Sequence, residues 1–206
     1  FKAFREAHPD HIALSYINCS AEVKALSDII VTSSSAETII SQIPESQKII
    51  FGPDRHLGGY LSRKFGREML LWPGVCIVHE AFSETELLKL KAQHPDAPIA
   101  AHPECPPEVV AEADFSGSTA MMMDFVVEKR PKQVVLVTEC SMADNVQAEL
   151  PDVEFTRPCN LCPHMKRITL PKILDSLLNM KEEVVVDPAI AARARRAVER
   201  MIYLKS

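Results

Sequence analysis

The sequence predicts an α/β fold made of tandem three-layer α/β/α modules, each with a short parallel sheet. Two observations carry this prediction. Short β-rich apolar runs alternate with helical runs, which is typical of βαβ units that place helices on both faces of a parallel sheet. Matching residues also recur at a constant interval of 86 positions, as in 162 − 76 = 86 for two cysteines. A constant interval indicates a duplicated unit.

The interval holds without a gap from residue 16 to residue 162. It places functional residue types of one copy on those of the other: Tyr16 on His102, Asn18 on Glu104, Ser33 on Thr119, and Cys76 on Cys162. We therefore predict four parts of the chain, which are the end of a preceding domain at 1–10, repeat units at 11–96 and 97–182, and a C-terminal docking helix at 183–206.

Each unit is predicted from its own alternation of apolar and amphipathic segments. In the first unit, strands are expected at HIALSYIN, DIIVTS, KIIFG and EMLLWP, with helices at SAEVKALS, SAETIISQI and PDRHLGGYLSRKFG. In the second unit, strands are expected at PIAAHPE, ADFSGS, QVVLVTE and VEFTRP, with helices at CPPEVVAEA, TAMMMDFVVEK and SMADNVQAEL. The last helix is expected to dock through one face, which carries Ile190, Ala194, Val198 and Met201.

Composition narrows the class of protein. The chain has 206 residues, of which 47% are hydrophobic and 25% charged, and no segment is apolar enough to span a membrane. A net charge of −5 argues against nucleic acid as a partner. Six cysteines without a secretory segment predict a reducing compartment, where the cytoplasm is the default and thiols more often bind metal or do chemistry.

Polar residues follow the predicted strands. Tyr16 and Asn18 end the first strand and Ser33 ends the second, while the other copy has His102, Glu104 and Thr119 at the equivalent places. The carboxyl edge of a parallel sheet commonly binds anions, because helix N-termini there offer unpaired N–H groups. The sequence therefore predicts an anionic substrate at this edge.

The repeat also predicts a metal centre. If a third copy precedes the two, its thiol lies about ten residues upstream of Phe1, since 76 − 86 = −10. Three converging thiolates suit either a zinc ion that also holds a water or a 4Fe-4S cluster with one open iron. The interval alone does not choose between these two.

Five strings together resemble the quinolinate synthase family over nearly all of the chain: YINCSAEVKALSDIIVTSSSA, FGPDRHLGGYL, WPGVCIVHEAF, AHPECPPEVVAEADFSGST and CNLCPHMKRITL. The resemblance implies three α/β/α domains about a pseudo-threefold axis, of which the first is missing here. It also implies a 4Fe-4S cluster enzyme of NAD biosynthesis. The implied reaction condenses iminoaspartate with dihydroxyacetone phosphate, with loss of phosphate and two waters, to give quinolinate. L-Aspartate oxidase is the implied upstream partner.

Site residues follow from the same resemblance. Cys76 and Cys162 match two of the three cluster ligands, and the third ligand is expected upstream of Phe1. Glu104 and His102 match catalytic positions, with Glu104 expected to move protons. The substrate-binding positions that the family motifs match are Tyr16, Ile17, Asn18, Ser33, His102, Pro103, Glu104 and Thr119. With two of three ligands, this chain alone is expected to be inactive.

Alternatives remain open. The chain could be a non-catalytic α/β scaffold with a structural zinc, or with a redox CxxC formed by Cys159 and Cys162. Asn18 and Ser33 could be helix N-caps only, and the His102–Glu104 segment could be a simple turn. Cys19 and Cys105 are expected to be small residues at helix starts, and Cys140 a small buried residue. His79 and His164, which follow the candidate ligands by three and two residues, could support those ligands or bind zinc, but they are expected to be ordinary surface histidines. No function is assigned to His56.

Overall fold

The computed structural model describes residues 1–205, with the side chains of residues 1–204. The first of its two sheets contains four parallel strands in the order β2-β1-β3-β4. These strands are β1 (His11–Tyr16), β2 (Ile29–Val31), β3 (Lys48–Phe51) and β4 (Leu70–Leu71). The helices of this part of the chain are α1 (Lys2–Glu6), α2 (Ala21–Leu26), α3 (Ala36–Ser41), α4 (Arg55–Phe65) and α5 (Glu84–Gln93).

The second sheet has the equivalent parallel order, β6-β5-β7-β8. Its strands are β5 (Ile99–Ala101), β6 (Phe115–Ser116), β7 (Gln133–Val137) and β8 (Glu154–Thr156). The helices are α6 (Pro107–Ala111), α7 (Thr119–Lys129), α8 (Ser141–Glu149), α9 (Leu170–Asn179) and α10 (Pro188–Lys205), with a short 3-10 turn at Met165–Arg167. The predicted α/β class with two short parallel sheets is confirmed, and the residue-by-residue repeat stays a prediction.

One hydrogen-bond arrangement occurs in both sheets. Asp28 accepts the backbone N–H of Ala13 at 2.7 Å, and Asp114 accepts that of Ile99 at 2.8 Å. Both pairs are related by 86 positions, since 28 + 86 = 114 and 13 + 86 = 99. Each carboxylate thus satisfies a buried donor in the first strand of its sheet, at a place where an unpaired N–H would be costly.

Apolar residues fill both faces of the second sheet. On one face, Leu87 of α5 packs with Ile99 and Val135. On the other face, Met122 of α7 packs with Val146 of α8. Helix α5 precedes β5 in the chain, so α5 packs on the sheet that follows it.

The docking helix α10 covers the first sheet. It packs against α2, α3 and β2, with Ala194 and Ala197 buried and Met201 against the first core. Arg193, Arg196 and Arg200 are exposed on this helix, and Arg200 donates to the carbonyl oxygen of Asp28 at 3.1 Å.

Helix α9 differs from α5 in what covers it. Ser83 caps α5 and Thr169 caps α9, again 86 positions apart, and both helices have ten residues. No residue of α9 is buried, and Leu170, Leu177 and Leu178 are 70–81% exposed. Within residues 1–205, no helix is long and apolar enough to cross a membrane.

Candidate active site

The predicted site residues of the second unit lie at the carboxyl end of its sheet. His102 directly follows β5, and its backbone N–H donates to Val137 at the end of β7 at 3.1 Å. The next residues form a tight turn in which the Cys105 N–H donates to the His102 carbonyl oxygen at 2.9 Å. This turn is the structure that the simpler alternative predicted, but it also buries the side chains of His102 and Glu104, which are 3% and 5% exposed.

His79, on the loop after β4, lies against Glu104. Its Nδ1 lies 2.9 Å from Oε2 of Glu104, and its Nε2 lies 3.0 Å from the Thr138 hydroxyl. The contact with Glu104 has an ion-pair distance without hydrogen-bond alignment, so we describe it as an ion pair. His79 itself is only 7% exposed. A buried imidazole and a buried carboxylate therefore face each other between the two sheets.

The charges of this pair follow from their surroundings. Burial lowers the pKa of His79, but contacts with Cys76 and Glu104 outweigh burial and raise that pKa to about 9. Burial alone would raise the pKa of Glu104. The contact with His79 and the charge of protonated His102 act in the opposite direction and outweigh burial, so the pKa of Glu104 lies below its ordinary value. Near neutral pH the pair is thus an imidazolium beside a carboxylate, which reduces the cost of burying either charge alone.

His102 is a neutral neighbour of this pair. Its ring stacks on His79 with centroids 4.5 Å apart. Burial, and then the positive charge of His79, lower the pKa of His102 to about 4. The Glu104 backbone N–H donates to Nδ1 of His102 at 3.3 Å, so the neutral ring carries its proton on Nε2. His102 can therefore donate a hydrogen bond to an anionic group without being charged itself.

Tyr16 adds a hydroxyl from the first sheet. Burial, and then the charge of Glu104, raise the pKa of Tyr16 to about 12, while a hydrogen bond with the Ser33 side chain acts in the opposite direction. The charge of Cys76 also raises the pKa of Tyr16. The predicted residues Tyr16, Ser33, Cys76 and Glu104 are therefore within electrostatic reach or direct contact of one another.

The other predicted substrate residues are placed less closely. Ile17 donates its N–H to the Val31 carbonyl oxygen at 2.9 Å, and Pro103 is buried in the turn after β5. Asn18 is exposed after β1, and Thr119 is exposed at the first turn of α7.

The N-cap alternative for Asn18 and Ser33 is wrong. Ser20 is the N-cap of α2, where its hydroxyl accepts the Val23 N–H at 3.4 Å, and Ser35 is the cap residue of α3. Asn18 and Ser33 each precede those caps by two residues, so neither is the N-cap of the helix that follows it.

The two predicted ligand cysteines lie on loops that touch. Asn160, two residues before Cys162, donates its side-chain amide to the carbonyl oxygen of Val78, two residues after Cys76, at 3.4 Å. Both cysteines have free thiols and are partly exposed. The two cysteines therefore lie on adjoining loops.

One potential group of metal ligands is present among residues 1–205. It consists of Cys76, His79 and Glu104, whose ligand atoms all lie within 4.8 Å of one another. Cys162 is outside this group. A metal ion could therefore contact Cys76, His79 and Glu104 together.

The CxxC alternative is corrected by the structure. Cys159 forms a disulfide with Cys140, at a Cα–Cα distance of 5.1 Å, rather than a redox pair with Cys162. Cys140 was expected to be a buried small residue, and it is buried but also bonded. Cys105 is buried with its thiol 3.6 Å from the Val137 carbonyl oxygen, and Cys19 precedes α2, as expected for small residues near helix starts.

His79 is the residue that sequence reasoning placed wrongly, because it was expected to be an ordinary surface histidine. Its three-residue spacing after Cys76 was the available signal, since a Cys-x-x-His spacing is typical of a shared site. His56 pairs with Glu80, which also accepts from Arg55 at 3.0 Å. His164 is exposed at the start of the 3-10 turn.

Comparison with known proteins gives consistent results. A family model described as "Quinolinate synthetase A protein" matches residues 1–203. The chain is 53% identical over 204 residues to a quinolinate synthase of Sinorhizobium fredii, and 47% identical over 212 residues to one of Chloroherpeton thalassium. Both alignments cover 99% of this chain but only 56% and 66% of the relatives. The chain thus spans between half and two thirds of the length of these relatives.

Proposed function

Because the chain belongs to the quinolinate synthase family, we propose that it forms two of the three modules of a quinolinate synthase. In this proposal the whole protein condenses iminoaspartate with dihydroxyacetone phosphate to quinolinate, with loss of phosphate and two waters, in the cytoplasm. The observation that carries the proposal is the buried His79–Glu104 pair beside Cys76, which places a proton-transfer couple next to a candidate metal ligand.

The donor set suits an iron–sulfur cluster. Cys76 and Cys162 have free thiols on loops joined through Asn160 and Val78, and thiolates are the usual ligands of such clusters. A third cysteine, about ten residues before Phe1 in the parent protein, would complete the ligands. When bound, the cluster would offer an open iron that acts as a Lewis acid on a substrate oxygen.

The side chains around the thiols supply binding and proton transfer. The Nε2–H of His102 can bind a substrate carboxylate or phosphate oxygen while the ring stays neutral. Glu104, a carboxylate beside an imidazolium, can accept a proton during imine formation and dehydration, and His79 can return one. Tyr16 keeps its proton at neutral pH and can donate it in a hydrogen bond.

The exposed face of α9 supports the three-module proposal. Helix α5 packs onto the sheet that follows it through Leu87, and α9 occupies the position 86 residues later. In a ring of three modules about a pseudo-threefold axis, the sheet after the one that precedes α9 belongs to the missing module. That module comes first in the parent chain and is the third member of the ring. We infer that this module covers Leu170, Leu177 and Leu178 in the parent protein.

The direct test is anaerobic purification of the full-length parent protein. It should be brown, with about four irons per chain and broad absorbance at about 400 nm. It should also form quinolinate when L-aspartate oxidase supplies iminoaspartate in the presence of dihydroxyacetone phosphate. The 206-residue chain alone should form none and should bind iron weakly. A colourless, inactive parent protein would refute the proposal.

A second candidate is a single zinc ion held by Cys76, His79 and Glu104, which their mutual distances within 4.8 Å favour. Such a site would be structural, in a chain without catalysis, and would not need Cys162. Metal analysis separates the two candidates, because the zinc site predicts one zinc per chain and no acid-labile sulfide.

A further inference from the structure

Two carboxylates hold the backbone of the two candidate ligand cysteines. Asp54 accepts the Cys76 N–H with Oδ2 at 2.6 Å. Its other oxygen, Oδ1, caps α4 by accepting the N–H groups of His56 and Leu57 at 2.6 and 3.0 Å. Asp54 is only 3% exposed, so a single buried carboxylate links a helix start to the cysteine loop.

Glu139 makes the same kind of link in the second sheet. Its Oε1 accepts the Cys162 N–H at 3.1 Å, and its Oε2 accepts the Ser141 N–H at the start of α8 at 2.7 Å. The exact equivalent of Asp54 would be residue 140, since 54 + 86 = 140. Glu139 lies one position earlier, and its extra methylene group gives the longer reach. Two different side chains thus make the same connection.

These contacts matter for a cluster in two ways. A backbone N–H that points at a carboxylate cannot donate to a cluster sulfur, and such donation raises a cluster's reduction potential. The carboxylates also place negative charge beside the cysteines, which disfavours addition of an electron. Groups that orient ligands in this manner commonly change metal affinity when they are replaced.

We propose that Asp54 and Glu139 are positioning residues, which fix the loops of Cys76 and Cys162 and keep the reduction potential of the bound cluster low. This inference rests on the proposed cluster function. A purely structural role as helix caps is the competing explanation for both contacts.

Amide substitutions separate the two explanations. Asn caps helices about as well as Asp, so Asp54→Asn can keep its oxygen on the two N–H groups of α4. Its NH₂ group then faces the Cys76 N–H, where two donors meet and the negative charge is gone. Glu139→Gln does the same at Cys162. Asp114→Asn is the matched control, because Asp114 accepts a backbone N–H at 2.8 Å but touches no cysteine.

The experiment uses the full-length parent protein, purified anaerobically as wild type and as the three variants. Iron and sulfide per chain, iron retention against a chelator, reduction midpoint potential and thermal midpoint are measured. We expect Asp54→Asn and Glu139→Gln to have a more positive reduction potential and roughly 10-fold weaker iron retention. We expect Asp114→Asn to change only the thermal midpoint.

The outcomes are distinguishable. If the wild type has its cluster and both cysteine-loop variants match Asp114→Asn in potential and iron retention, the positioning role is overturned while the proposed function stands. If the wild type lacks iron and sulfide, both are overturned. If Asp54→Asn does not fold, Glu139→Gln decides the question alone, because the glutamine oxygen can still accept the Ser141 N–H at the start of α8.

Discussion

The side chain of Asn160 donates to the carbonyl oxygen of Val78 at 3.4 Å. This bond joins the loop that carries Cys162 to the loop that carries Cys76, although Asn160 and Val78 are 82 positions apart in the chain. The sheets therefore meet where the sequence places its candidate metal ligands.

Replacing Cys76 or Cys162 by Ser should abolish visible absorbance and quinolinate formation together in the full-length parent protein. The reason is that a cluster held by three thiolates rarely survives loss of one. Cys19→Ser is the matched control, because Cys19 is also free and partly exposed but lies before α2. It should keep both properties. Iron retained at the wild-type level in Cys162→Ser would instead favour the Cys–His–Glu site.

Glu104→Gln should lower kcat by about 10²- to 10⁴-fold while the cluster is retained, because a positioned general base contributes on that scale. The substitution keeps the shape of the side chain but removes its charge beside His79. Glu108→Gln, an exposed position on α6, is the control and should be close to wild type. Steady-state rates and iron content are measured for each variant. A kcat of Glu104→Gln within about twofold of the wild-type value would rule out a general-base role for Glu104.

His102 should make the stability of the chain depend on pH in the acid range. Its pKa is about 4 in the folded chain, against 6.5 as the ordinary value. The unfolded state therefore binds a proton first as pH falls, and the free energy of unfolding decreases between pH 6.5 and 4. We expect a loss of about 2 kcal/mol from this residue between about pH 7 and pH 5.

The measurement for His102 is urea unfolding of the 206-residue chain across that range, compared with His102→Gln. The variant should show a smaller decrease in stability toward acid pH than the wild type. His94→Gln is the control, since His94 lies at the end of α5, 3.1 Å from Gln133, outside the pocket. Parallel curves for wild type and His102→Gln would contradict the prediction.

Local patterns were enough to predict most elements. Short apolar runs predicted β1 to β8 within a few residues, and the segment TAMMMDFVVEK predicted α7 at its observed bounds. Helix α5 was not predicted, although Ser83 and Glu86 form a capping box that signals its start. The burial of His79 could not be predicted from its neighbours, because its partners are brought to it by the second sheet. Thr138 is 59 positions away, and only tertiary packing places it 3.0 Å from the ring.

Some contacts of the candidate site could likewise be predicted from the sequence, and others could not. Strand-end positions suggested that Tyr16 and Glu104 lie close together, because carboxyl ends of parallel strands meet at one edge. The two side chains do interact, since the charge of Glu104 raises the pKa of Tyr16, while their shared role in a site stays a prediction. The Cys140–Cys159 bond was not predicted, since spacing alone suggested a pair between Cys159 and Cys162. Disulfide connectivity depends on how loops approach one another, which sequence spacing does not determine.

Helix α9 gives a prediction that differs between the isolated chain and its parent protein. Leu177 and Leu178 are 70% and 72% exposed here, so changing both to Gln should alter the free energy of unfolding of the 206-residue chain by no more than about 1 kcal/mol. It should also reduce self-association, because an exposed apolar face promotes it. Leu57→Ala, at a residue 1% exposed in α4, is the contrast and should cost about 2–5 kcal/mol.

In the full-length parent protein, the same Leu177→Gln and Leu178→Gln changes should be clearly destabilising, because the third module is proposed to cover this face. Urea unfolding gives the stabilities, and light scattering gives the association state of each variant. If the double variant were as harmless in the parent protein as in the isolated chain, the face would be uncovered in both, and the packing inferred from the equivalence of α5 and α9 would be wrong.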